Sequence, residues 1–64
     1  MDTNELTEWG AAENAARLND IRAVHAGEMT LKDAQAAARR RRLAVGLTAG
    51  QASTAVRLYG KRKT

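Results

Sequence analysis

With 64 residues and no cysteine, the chain is limited to one small domain without disulfides, and no apolar run approaches the roughly 18 residues of a membrane span. Half of its hydrophobic residues, 14 positions, are alanine, which adds little buried area and excludes the core of a large enzyme. All seven acidic residues lie within 1–33, whereas 34–64 carry eight basic residues and no acid, which predicts a polyanionic partner. The acidic N-terminus is unlike a signal or transit peptide, so a cytoplasmic protein without a membrane partner is expected.

The sequence predicts an all-α fold, a small three-helix domain over residues 1–64. Alanine, leucine, arginine and glutamate favour helix, and no segment alternates apolar with polar residues as a strand does. The first, acidic helix is expected over residues 3–26, from a cap at Asp2 to a stop at Gly27. Apolar residues recur along it at spacings of three and four, which predicts a buried stripe of Leu18, Ile21 and Val24 or His25.

The second helix is predicted over residues 31–45, with Thr30 as its N-cap and Gly46 as its stop. Four consecutive arginines occupy its C-terminal part: Arg39, Arg40, Arg41 and Arg42. They span more than a full helical turn, so at least one must lie along a packed surface with its stem buried. Their guanidinium groups suit phosphate binding. The alternative is internal pairing with acids of the first helix, namely Glu5, Glu8, Glu13 or Asp20.

The third helix is predicted over residues 49–60, because Thr48 and Gln51 fit the Thr-x-x-Gln pattern of a capping box. Its buried face is expected to consist of Ala52, Ala55, Val56 and Tyr59. The opposite face then carries Ser53, Thr54, Arg57 and Lys61. Beyond Gly60, a basic tail over residues 61–64 is expected. Its Lys61, Arg62 and Lys63 either contact a phosphate backbone or keep the protein soluble.

The run from Arg39 to Ala52 combines an arginine-rich helix, Gly-Leu-Thr, and a helix start with Gln and Ala. This run resembles bacterial and phage helix-turn-helix DNA-binding domains, and the likeness covers about residues 39–60. In one alignment with that family, the reading helix, which is the helix that enters the major groove, would follow Gly60. In the other, the supporting helix is 31–45 and the reading helix is 49–60, with Arg42 where the family has a small residue. Both registers are open at this point, and the resemblance implies a DNA-binding regulatory domain.

The sequence therefore predicts a small nucleic-acid-binding protein, regulatory and nucleoid-associated, of bacterial or phage type. Duplex DNA is the expected ligand, and RNA is an open alternative. The small core predicts a homodimer. The expected nucleic-acid contacts are Arg39, Arg40, Arg41, Arg42, Ser53, Thr54, Arg57, Lys61, Arg62 and Lys63. The competing hypothesis is a helical adaptor or inhibitor that binds a protein partner through its acidic N-terminal helix.

Neither a catalytic site nor a bound metal or cofactor is expected, and the protein is predicted not to be an enzyme. His25 is the only histidine, and without cysteine or a second histidine it is a poor metal ligand. Acid–base or nucleophilic catalysis needs several positioned groups in a dry pocket, which so few bulky residues do not build. The glycines lack the Gly-Lys-Ser/Thr sequence of a phosphate-binding loop.

Overall fold

The computed structural model describes residues 1–63, which form three helices and no strand. Helix α1 spans Thr3–His25, α2 spans Leu31–Ala44 and α3 spans Ala49–Lys63. The all-α, three-helix fold predicted from the sequence is therefore confirmed. In the part of the chain that the structure describes, no helix is long and apolar enough to cross a bilayer.

Each helix starts at the polar residue that the sequence indicates. The Thr30 hydroxyl accepts a hydrogen bond of 3.0 Å from the backbone N–H of Asp33, and Asp2 caps α1 in the same way. At α3, the Thr48 hydroxyl accepts from the backbone N–H of Gln51 at 3.1 Å, and the Gln51 side chain accepts from the backbone N–H of Thr48 at 2.8 Å. This reciprocal pair is the predicted capping box.

Glycines in the left-handed region end the first two helices. Gly27 has φ of 75° and Gly46 has φ of 70°, a conformation that side chains with a Cβ rarely adopt. After α2, the backbone N–H of Leu47 returns to the carbonyl of Arg42 at 3.1 Å, which completes a Schellman motif. Leu47 is buried, so the turn that ends α2 also contributes an apolar side chain to the core.

Helix α1 lies between the other two helices, which touch each other only weakly. Its closest approach to α3 is at Gly10, where a methyl group would overlap the backbone carbonyl of Ala55. Ala55 is fully buried and Ala52 nearly so, while Val56 and Tyr59 are half-buried. The buried face predicted for α3 is thus confirmed at its two alanines, and it packs on α1 through small residues.

The buried stripe predicted for α1 is wrong. Leu18 is 60% exposed and Ile21 is 53% exposed, while Ala23 is the buried apolar residue of this segment. The physical reason is that α3 meets α1 near Gly10, one half-helix away, and therefore does not cover this side of the C-terminal half. Helical spacing shows which residues share a face, but it does not tell where along the helix a partner lies.

The predicted end of α3 at Gly60 is also wrong. The helix continues to Lys63, so Lys61, Arg62 and Lys63 form its last turn and not a tail. Cations in the last turn are favoured by the negative end of the helix dipole, which offsets part of the roughly 1 kcal/mol that an interior glycine costs. Thr64, the remaining residue of the predicted tail, lies outside the described residues.

Candidate nucleic-acid interface

The four consecutive arginines have different surroundings, and Arg41 is turned toward α1. Its Nε donates to Oε1 of Glu13 at 2.7 Å, and its Nη2 donates to Oε2 of Glu13 at 3.0 Å. Its Nη1 donates to Oδ2 of Asp20 at 3.1 Å. Arg41 was predicted as a nucleic-acid contact, but its guanidinium group is held inside the chain by two acids of the first helix. Arg41 thus forms the internal ion pairs that were the alternative to phosphate binding.

Glu13 is the centre of this ion-pair cluster. It is only 2% exposed, and it also accepts a hydrogen bond of 2.9 Å from Nε of Arg17, one turn later on α1. Burial alone would raise the pKa of Glu13, but the hydrogen bonds from Arg41 and Arg17 outweigh it and lower the pKa. The hydrogen bond to Glu13 in turn raises the pKa of Arg41. Both partners are therefore charged at neutral pH.

Arg42 also has an internal partner. Its Nη1 donates to the backbone carbonyl of Leu47 at 3.1 Å, which ties the last turn of α2 to the loop before α3. The side chain is half-buried, with its stem along the packed end of α2. Arg42 therefore stabilises the turn between the two basic helices, and its remaining N–H groups are still able to meet a ligand.

Arg39 and Arg40 are exposed, and neither forms an ion pair within residues 1–63. Of the four arginines predicted to bind phosphate, these two keep their whole guanidinium groups available to solvent.

The outward face of α3 is polar and basic. Ser53, Arg57 and Lys61 are exposed at spacings of four residues, and Thr54 beside them is half-buried. The opposite side of the helix carries the buried Ala52. Because α3 continues through Gly60, Arg62 and Lys63 extend the charged surface by one helical turn, and both are exposed.

Most acidic side chains of residues 1–33 form ion pairs or hydrogen bonds within the fold. Glu13 and Asp20 bind Arg41, and Glu28 binds Arg22 at 3.1 Å. Asp2 caps α1, and the hydrogen bond from the backbone N–H of Glu5 lowers the pKa of Asp2. The acids of residues 1–33 thus neutralise one arginine of the basic half, and Arg39, Arg40 and Arg57 form no ion pair with them.

Sequence reasoning included Glu13 only as one of four possible partners for the arginines, and it missed Gly10. A glutamate four residues before Arg17 in the middle of an alanine-rich helix was the available signal for Glu13. Helix α1 is continuous through Gly10. No group of three or more histidine or acidic side chains within the described part of the chain could hold a metal ion.

The chain was compared with protein-family models, with curated proteins and with solved structures, and none of them matches it.

Proposed function

We propose that the protein binds duplex DNA through its two basic helices and acts as a small regulatory protein of bacterial or phage type. The observation that carries this proposal is the outward face of α3, which presents Ser53, Arg57 and Lys61 in one line while the inner face packs on α1. A helix with short polar and basic side chains on its free side is the element that enters a major groove in helix-turn-helix proteins.

The exposed cations divide into two roles. Arg39, Arg40, Arg62 and Lys63 are assigned to phosphate contacts, which need charge and reach but no particular base. Arg57 is assigned to a base edge, because guanidinium can donate two hydrogen bonds to guanine. Ser53 and Thr54, one turn earlier, are assigned to bases or to the adjoining phosphate. Arg41 and Arg42 instead hold α2 on α1 and on the following turn, so they act on binding mainly through the fold.

The structure supports one of the two helix-turn-helix registers over the other. A reading helix that follows Gly60 requires the chain to break there, whereas α3 continues to Lys63. In the second register, α2 is the supporting helix, residues 45–48 are the turn and α3 is the reading helix. Arg42 then occupies the small-residue position, and its hydrogen bond to the Leu47 carbonyl gives it a structural role there.

The adaptor hypothesis has less support. A docking surface on the acidic helix needs exposed carboxylates, but Glu13 and Asp20 are already paired with Arg41. Glu5 and Glu8, near the start of α1, are the exposed acids that remain on the first two turns. A Glu5→Gln, Glu8→Gln variant with unchanged DNA binding is expected if the acidic helix takes no part in the interface.

The salt dependence of DNA affinity tests the proposal. Binding of a labelled duplex of random sequence is measured by fluorescence anisotropy between about 50 and about 200 mM salt. The Arg39→Gln, Arg40→Gln double variant is expected to lower the slope of log affinity against log salt by about two, because each lost phosphate contact releases roughly one counterion fewer.

The matched control is the Arg22→Gln, Lys32→Gln variant, which also removes two exposed positive charges, from the last turn of α1 and the first turn of α2. It is expected to change the slope far less, because these side chains are assigned no phosphate contact. A wild-type affinity that does not respond to salt would rule out the proposed interface. Equal effects of the two double variants would show that DNA binding depends on the net charge of the protein and not on the proposed interface.

A further inference from the structure

The three helices enclose little core. Helix α1 contacts both α2 and α3, which touch each other only weakly. Here the buried apolar side chains of the described residues are those of Ala23, Leu47, Ala52 and Ala55, and none of the large ones is fully buried.

An apolar groove of about 240 Å³ is open between α1 and α2. Ile21, Ala34 and Ala38 line it, and Arg17, Asp20 and Arg41 bound it. Large apolar side chains are exposed on the same two helices, with Leu18 at 60% and Leu31 at 64%. An apolar groove that is exposed on a small protein marks a surface that is normally covered.

The charges around this groove cancel. The α1 and α2 positions from 13 to 33, together with Arg41, carry four basic and four acidic side chains. Glu13, Asp20 and Glu28 are paired with arginines there, so the net charge of +4 resides on other parts of the molecule. A polyanion therefore finds no excess of positive charge around the groove. A second copy of the same chain meets no net repulsion when the two sides face each other.

We infer that a second copy of this chain covers the groove, so that α1 and α2 of each protomer form a four-helix core around a twofold axis. A twofold contact is self-complementary, and each copy brings Ile21, Ala34 and Ala38 to it. The small core also identifies the occupant. A chain with so small a core needs the added burial whenever it is folded, and a second copy is present whenever the protein is.

The available area is sufficient for a stable dimer. At 1.5 Å per residue, α1 is about 35 Å long and α2 is about 21 Å long, and each helix is about 10 Å wide. The summed area, on the order of 560 Å² per copy and about 1,100 Å² for the pair, exceeds the roughly 1,000 Å² that a specific interface needs. The outward face of α3 and the exposed Arg39 and Arg40 remain outside this contact, so the inference stands independently of DNA binding.

Molecular mass in solution tests the inference directly. Sedimentation equilibrium over about a hundredfold range of concentration is expected to give a dimer mass for the wild-type protein. Ile21→Glu places a charge in the groove and is expected to raise the dimer dissociation constant by about tenfold or more. Leu43→Glu is the matched control. Leu43 is 59% exposed on α2 but does not line the groove, so this change is expected to leave the dissociation constant unaltered.

A crosslinking measurement keeps the test decisive if Ile21→Glu does not fold. The chain has no cysteine, so Gln35→Cys introduces one thiol beside the groove and Leu43→Cys introduces one away from it. A short bismaleimide is expected to link two copies of the first variant about tenfold faster than two copies of the second. Monomer mass for the wild-type protein at every concentration, or equal crosslinking of both variants, would overturn the inference.

Discussion

The guanidinium group of Arg41 on α2 binds the buried carboxylate of Glu13 on α1 through two hydrogen bonds, of 2.7 and 3.0 Å. Two neighbours of Arg41, Arg39 and Arg40, have the same chemistry but point to solvent. Within this run of arginines, Arg41 is therefore structural, whereas Arg39 and Arg40 are available to a ligand. The division follows from the helical turn of 100° per residue, which takes each arginine to a different direction.

Arg41→Gln is therefore expected to destabilise the fold far more than Arg40→Gln does. Loss of the Arg41 guanidinium leaves Glu13 with Arg17 alone, and the free energy of unfolding is expected to fall by about 2 kcal/mol. Arg40→Gln is expected to change it by less than about 0.5 kcal/mol, because the side chain is exposed. Urea unfolding followed by circular dichroism, at one fixed protein concentration, measures both values. Equal stabilities would show that the ion-pair cluster is not structural.

The pH dependence of stability provides a second test of Glu13. Its pKa is lower in the folded chain than the roughly 4.3 of an unfolded glutamate, so the folded state binds fewer protons. The resulting stabilisation is complete above about pH 4.3 and is lost as the pH falls through the folded pKa. The difference in unfolding free energy between the wild type and Glu13→Gln is thus expected to shrink below about pH 4. A difference that stays constant from neutral to acid pH would contradict this assignment.

The contact between Gly10 and Ala55 predicts that two glycine-to-alanine changes have opposite signs. Inside a helix this change ordinarily stabilises by about 0.5–1 kcal/mol. At Gly10 the new methyl group would overlap the α3 backbone, so the helices must separate, and a loss of about 1–3 kcal/mol is expected. Gly60→Ala is the control, because nothing lies within 4 Å of the added Cβ. Thermal unfolding is expected to place the two variants on opposite sides of the wild type.

The local features of the fold could be predicted from the sequence. Thr30, Thr48 and Gln51 cap their helices as expected, because capping depends on residues three apart in one chain segment. Gly27 and Gly46 end theirs for the same local reason.

Features that depend on distant segments could not be predicted in the same way. The exposure of Leu18 and Ile21 follows from the place where α3 meets α1, which spacing within α1 does not encode. The partner of Arg41 is 28 residues away, and the sequence offered four acids of equal standing. The outward face of α3 was predictable because helical periodicity alone defines it once the buried alanines are known.

The last prediction concerns Arg57, which the proposed interface assigns to a base edge. Binding sites are first selected from random duplexes with the wild-type protein. Arg57→Ala is then expected to weaken binding to the selected site by about 1–3 kcal/mol and to relax the preference at one position. Its binding to random duplexes is expected to fall far less, because Arg39, Arg40 and the last turn of α3 still contact phosphates.

Arg62→Ala is the matched control for this measurement, since it removes an exposed arginine of the same helix that is assigned to phosphate. It is expected to weaken selected and random duplexes by the same factor and to leave the preferred sequence unchanged. Equal losses on both kinds of DNA for Arg57→Ala would make Arg57 a phosphate contact as well. If Arg57→Ala affects neither, then α3 does not lie in the groove, and the reading role assigned to its outward face is wrong.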